Sequence, residues 1–330
     1  MFSPYYCRKA LRVTYIITVI TWFYYILFIH KVNKGAVLKG IILAAGKGTR
    51  LGPVTLGLGG SGVGVAKPLV PVYDKPTIYY PLANLIAAGI KEILIICAPG
   101  AIDQFKAALG DGSNLGISLS YEIQKEPKGT ADALIIGEQF IGNDDIALIY
   151  GDNVISGDQF AGSLQQATNP RGATIFAYPV ANPEVFGVVE FDENNKVLSV
   201  EEKPAQPKSN YAIIGVYFYT NKAIQFAKEL EISERGEYEI TDVNDRYLSL
   251  GELDVVPLDA DTSWFDTGNP EALIDASTFV QEAQRDGAQL IGSPEYAAYQ
   301  AGFIDKDQLA QLSEHLLKSE YGKSLSRLAQ

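Results

Sequence analysis

Short, continuously apolar runs recur along the chain, at residues 40–43, 93–97, 146–150 and 211–218, each about the length of one strand. Runs with no polar alternation suit strands buried on both faces. Between them the periodicity changes. Residues 76–88 carry apolar positions at helical spacing, closed by Gly89 and with Pro76 suited to the first turn; residues 103–109 predict a short helix; Thr130 is placed to cap another. Strands alternating with helices predict an α/β fold: a three-layer α/β/α arrangement around a mixed, mostly parallel, Rossmann-like sheet. Beyond Pro270 the pattern turns helical and predicts a C-terminal helical extension.

Residues 11–29 differ in kind. They hold eleven Leu, Ile, Val or Phe and one charge, Arg12, at close to the roughly 20 residues that span a bilayer. Arg8 and Lys9 before the run and Arg12 at its start are balanced by Lys31 and Lys34 after it, so the flanking charge assigns no orientation. Two readings follow for residues 1–36: a membrane anchor, or translation from an upstream start. Met1 is the only methionine, and a GTG codon at Val37 would supply the internal start; the second reading is the expected one. The remainder divides into an α/β part, 37–283, and the helical extension, 284–330.

A formal charge of −12 argues against a nucleic-acid surface. It leaves a nucleotide site open, because exposed charge is screened over about 8 Å and local cations decide the site. Cys7 and Cys97 form no disulfide framework and suit a reducing, cytoplasmic compartment.

The candidate chemistry starts where the first apolar run meets Ala44-Ala45-Gly46-Lys47-Gly48-Thr49-Arg50. Small residues let backbone N–H groups close around an anion, and Arg50 adds a planar fork of donors. The spacing fits neither a Walker A loop nor a dinucleotide fingerprint. Asp152 follows the run 146–150, at a strand end where ligands of such sheets bind, and Asp266 closes a second short apolar approach, Trp264-Phe265-Asp266.

Leu43-Ala44-Ala45-Gly46-x-Gly48-Thr49-Arg50-Leu51 together with Lys67-Pro68-Leu69-Val70-Pro71 resembles the signature of sugar-phosphate nucleotidyltransferases, and Tyr73-Asp74-Lys75-Pro76 onward resembles their glucose-1-phosphate thymidylyltransferase branch. The resemblance runs from about residue 37 to 330. It implies transfer of a thymidylyl group from dTTP to glucose 1-phosphate with release of pyrophosphate, as a first step toward dTDP-rhamnose and related deoxysugars. By resemblance, Leu43, Ala44, Ala45, Gly46, Gly48 and Thr49 cradle the triphosphate with Arg50 and Lys67, while Gln124 and Gly129 take the base. Asp152 and Asp266 share one Mg²⁺. Asn153, Gly187, Glu202, Gly215 and Arg235 face the sugar phosphate, and Lys203 holds its phosphate. A homotetramer inhibited at a separate site is also implied.

Four departures stand out. Residues 58–64 insert a glycine-rich loop between Arg50 and Lys67; Phe186 replaces a tyrosine; Pro68 stands where glutamine is usual; and Thr130-Ala131-Asp132 replaces Leu-Ala-Gln. The last two bear on the base, so a uridylyltransferase is the alternative enzyme. An inactive, membrane-tethered regulatory relative is the alternative from another class, and membrane contact depends on residues 11–29 alone.

Overall fold

The apolar run at 40–43 forms the middle of β1 (Leu38–Ala44) in the computed structural model, which describes residues 37–59, 64–157, 159–259, 261–285 and 290–330. The expectations for residues 1–36, and for the tip of the inserted loop at 60–63, lie outside those residues. The described chain continues through a hairpin, β2 (Pro71–Val72) and β3 (Lys75–Pro76), to β4 (Glu92–Cys97), β5 (Ser118–Ile123), β6 (Asp145–Tyr150) and β7 (Asn153–Ser156). It then forms β8 (Ala173–Pro179), β9 (Gly187–Phe191), β10 (Val197–Glu202), β11 (Tyr211–Tyr219), β12 (Leu253–Pro257) and β13 (Ser263–Asp266). Residues Leu38–Gln330 make one compact unit.

Nine strands share one sheet, in the order β10-β9-β11-β6-β1-β4-β5, with β8 paired to β11 and β12. The half around β1 is parallel: β1 pairs with β4 and β6, and β4 with β5. The half around β11 is antiparallel, apart from the parallel β12–β8 pair. Successive residues of the central strands enter opposite cores, as strand geometry requires. Ile42, Ile93, Ile95 and Ile149 pack on one side, under the helices Tyr79–Ala87 and Ile102–Leu109, whereas Ile41, Leu94, Ile96 and Leu148 pack on the other, under Lys222–Lys228 and Ile240–Ser249. That double burial is what the unbroken apolar runs report.

Two local expectations are corrected. The helix expected from Pro76 begins at Tyr79, because Pro76 pairs with Pro71 in the hairpin and the buried Thr77 hydroxyl donates to the carbonyl of Val70 at 2.7 Å. Thr130 is not a helix cap: the helix Asp132–Ile136 starts from Ala131 with no side-chain cap, and Thr130 instead lines a cavity together with Tyr150. The C-terminal helices are capped as their sequence suggests, with Ser293 accepting from Tyr296 N and Asp305 forming a capping box with Gln308. Among the described residues no helix is long and apolar enough to cross a membrane.

Candidate active site

Parallel pairing sets the ends of β1 and β6 side by side. Leu43 is in register with Tyr150, and Gly151 N donates to the carbonyl of Leu43 at 2.9 Å, so the glycine turn after β1 and Asp152 after β6 leave the sheet together. Cys97 is in register with Ala44, and Gln124 N donates to its carbonyl at 3.0 Å, which brings the end of β5 to the same edge.

Asp266 reaches this edge by a separate ribbon. β13 runs antiparallel to β7 with Asp266 opposite Asn153, and the N–H and hydroxyl of Thr267 both donate to the carbonyl of Asp152, at 3.1 and 2.8 Å. Burial raises the pKa of Asp266 above the ordinary aspartate value, the Asp152 carboxylate adds to the rise, and Lys67, Arg50 and Lys203 pull it back. Three cations and two carboxylates thus act on one point. Asn153 is spent on the frame: its amide donates to Asp152 Oδ1 at 3.1 Å and its carbonyl oxygen accepts from Trp264 Nε1 at 2.7 Å.

Lys67 comes from the far side of the inserted loop and still reaches the site, where its ammonium pairs with Asp152 Oδ2. The loop's ends are tied down by Val65 N donating to Val54 O at 2.9 Å and by Gln104, which bonds both Ala66 N and Gly64 O. Gly48 adopts φ +61° and has Lys67 Cβ 3.1 Å from where its own Cβ would stand, so this turn needs glycine to admit the lysine.

On the other flank, Glu202 ends β10 opposite Gly187, and Thr241 Oγ1 donates to Glu202 Oε2 at 2.6 Å. Arg235 donates to Glu202 Oε1 at 2.9 Å and also pairs with Glu239 and Glu237, so its guanidinium is held among three carboxylates. Lys203 follows with φ +44°, its N–H bonded to Phe186 O at 2.9 Å. Phe186 lacks a hydroxyl and packs its ring 5.1 Å from Trp264. Gly215 faces the Tyr150 ring, 2.3 Å from where its Cβ would be; the strand needs glycine there for Tyr150, not only for a ligand.

Two cavities meet at Gly46 and Lys67. One is lined by Ala44, Ala45, Thr49 and Gln124; the other by Leu43, Arg50, Asp152, Asn153, Gly187, Glu202, Lys203, Gly215, Arg235 and Asp266. Gly48 and Gly129 line neither cavity, and Gly129, at φ +101°, has Tyr238 backbone atoms within 2.6 Å of its Cβ position. Thr241, Trp264, Tyr150 and Tyr217 also line the second cavity and were not expected from sequence. Thr241 lies within the sequence stretch 234–242 that also resembles the family pattern, where Arg235 alone has an expected role. A third cavity, between the helix Tyr79–Ala87 and the C-terminal helices, holds none of the expected site residues.

A family model described as nucleotidyl transferase matches residues 39–283. Glucose-1-phosphate thymidylyltransferases of Mycolicibacterium smegmatis and Neisseria meningitidis are each 50% identical to the chain, covering 88% of it and 99% of their own length. Among solved structures, a Bacillus anthracis protein described as a glucose-1-phosphate thymidylyltransferase is 38% identical with a TM-score of 0.66, covering 74% of this chain and 95% of that one. A UDP-glucose pyrophosphorylase complexed with UDP-glucose is 24% identical with a TM-score of 0.63, covering 75% and 100%, and shares the fold alone. With its glycine turn, its paired strand-end aspartates and this match over most of its length, the chain belongs to the nucleotidyl transferase family.

Proposed function

We infer that the chain joins a deoxythymidylyl group from dTTP to glucose 1-phosphate, giving dTDP-glucose and pyrophosphate. The observation that carries this reading is the pair of cavities that share Gly46 and Lys67 in their walls, one suited to a nucleoside triphosphate and one to a sugar phosphate. The 50% identity to thymidylyltransferases along nearly their whole length supports dTTP over UTP.

An oxygen of the sugar phosphate attacks the α-phosphorus in line, and the bond to the β-phosphate oxygen breaks. The nucleophile is already ionised, so alignment and charge neutralisation matter more than proton transfer. Lys203 holds the attacking phosphate. Arg50, Lys67 and the backbone of the glycine turn take up charge on the departing pyrophosphate. Glu202, its oxygens fixed by Thr241 and Arg235, accepts from sugar hydroxyls. Arg235 touches phosphate only by leaving part of its carboxylate cluster.

The donor set suits Mg²⁺. Asp152 and Asp266 offer few carboxylates close together, their mutual repulsion and the partial burial of Asp266 are relieved by a cation between them, and Mg²⁺ favours few carboxylates with waters and phosphate oxygens. Bound there, it would polarise the α-phosphate and neutralise developing charge. A nucleoside triphosphate substrate sets the reaction in the cytoplasm, and light scattering tests the homotetramer that belongs to the same proposal. The test of the function is pyrophosphate release from glucose 1-phosphate with dTTP, UTP and dCTP offered separately: dTTP supports the fastest turnover, and a preference for UTP, or no release with any of them, overturns the reading.

A further inference from the structure

Gln124 sits just past the end of β5 and is 7% exposed. Its amide nitrogen donates to the Gly129 carbonyl at 3.1 Å and to Asp132 Oδ2 at 2.9 Å. A carbonyl and a carboxylate only accept. Turning the amide over would set Oε1 against two acceptors, so these partners dictate which end points where. With both N–H groups spent, Oε1 is what Gln124 has left to offer. No donor reaches Oε1 among the described residues, and it is not a buried orphan, so it remains open to the cavity that Gln124 lines with Ala44 and Gly46.

Of the two acceptors that hold this orientation, Asp132 is the side chain, beside the Gly129 carbonyl. It is 9% exposed and opens the helix Asp132–Ile136, in the segment where Thr130-Ala131-Asp132 departs from Leu-Ala-Gln. A glutamine at 132 can present either an oxygen or an NH₂ to Gln124; a carboxylate presents only an acceptor.

We propose that Asp132 is a positioning residue for base selection, fixing Gln124 as an acceptor and so favouring a pyrimidine that carries a ring N–H. Thymine and uracil supply that imide N–H at N3. Cytosine presents a lone pair at N3, which Oε1 repels. The device selects ring type and does not distinguish the 5-methyl group or the 2′-hydroxyl. It deepens the thymidylyltransferase reading and rests on it.

The test compares kcat/KM for dTTP and dCTP, with glucose 1-phosphate saturating, in wild type and Asp132→Asn. Asparagine can donate to Oε1, which leaves the Gly129 carbonyl as the one partner opposing the turned-over amide and lets both orientations be populated. The dTTP to dCTP ratio is expected to fall about tenfold, mainly through the KM for dTTP, the scale of one misdirected hydrogen bond. In a Gln124→Leu background the same substitution changes the ratio less than about twofold, because the group it acts through is gone. If Asp132→Asn gives no cooperative thermal unfolding, Asp132→Ser, whose hydroxyl also both donates and accepts, replaces it with the same expectation. A wild-type ratio in the variant, or an equal shift in the Gln124→Leu background, overturns the proposal. A wild-type enzyme that does not prefer dTTP to dCTP instead overturns the function on which it rests.

Discussion

The guanidinium of Arg50 fills the space that a side chain at Gly268 would need. A Cβ at 268 would stand 2.5 Å from Arg50 Nη2 and 3.2 Å from Asp266 Oδ1. Arg50 lies in the single 3₁₀ turn after β1, and Gly268 two residues beyond β13, so one missing methyl group lets two distant segments bring a cation to the half-buried Asp266 carboxylate. Gly268→Ala meets the flexible end of a side chain, not backbone, and the fold is expected to survive. Displacing the guanidinium is expected to lower kcat by roughly ten- to a hundredfold, the usual penalty for small misplacement. Steady-state kinetics beside a thermal melt read both; an unchanged kcat would show that this placement does not matter.

Asp266 carries a stability cost that has a definite sign. Its pKa is raised in the folded chain, so the unfolded chain gives up the proton more easily, and stability falls as pH rises from about the ordinary value of 3.8 through the raised folded value. The deficit is then fully present at neutral pH. Asp266→Asn should therefore raise the Tm of the substrate-free, metal-free protein at pH 7, and the gain should vanish below the ordinary aspartate range, where both side chains are neutral. Turnover should meanwhile fall by orders of magnitude. Differential scanning calorimetry across pH checks this, and a variant less stable than wild type at pH 7 would contradict the sign.

Thr241 holds one oxygen of Glu202 and Arg235 the other. Thr241→Val removes the first without altering volume much, leaving Glu202 free to turn toward the arginine. The KM for glucose 1-phosphate should rise about fivefold, on the scale of one hydrogen bond to a charged group, with the KM for dTTP within about twofold. Equal changes in both constants would place Thr241 in the frame rather than on the sugar side.

The parallel half of the sheet was legible because its strands, buried on both faces, carry unbroken apolar runs such as 93–97 and 146–150. The strand-end position of Asp152 followed from the same reading. What was not legible depends on partners far along the chain. Pro76 reads as a helix start until Pro71 pairs with it. Thr130 reads as a cap until folding sets it in a cavity wall with Tyr150. Gly215 reads as room for a ligand, and the ring it admits is Tyr150. Arg235 reads as a phosphate contact, and folding sets it among Glu202, Glu237 and Glu239, of which only the last two are near in sequence. Local propensity carries no information on such pairings, and the antiparallel half of the sheet, built on the register of β11 with β6 and β8, is of the same kind.

The central claim is that strand ends bring Arg50, Lys67, Lys203, Asp152 and Asp266 around one transferring phosphorus. The most direct measurement follows label from dTTP marked at the α-phosphorus into sugar nucleotide, at saturating glucose 1-phosphate, in wild type and in Arg50→Ala. Wild type is expected to place the label in dTDP-glucose and none in pyrophosphate, and Arg50→Ala to do so at least about a hundredfold more slowly with an unchanged melting transition. Transfer at a near-normal rate by the variant would contradict the account.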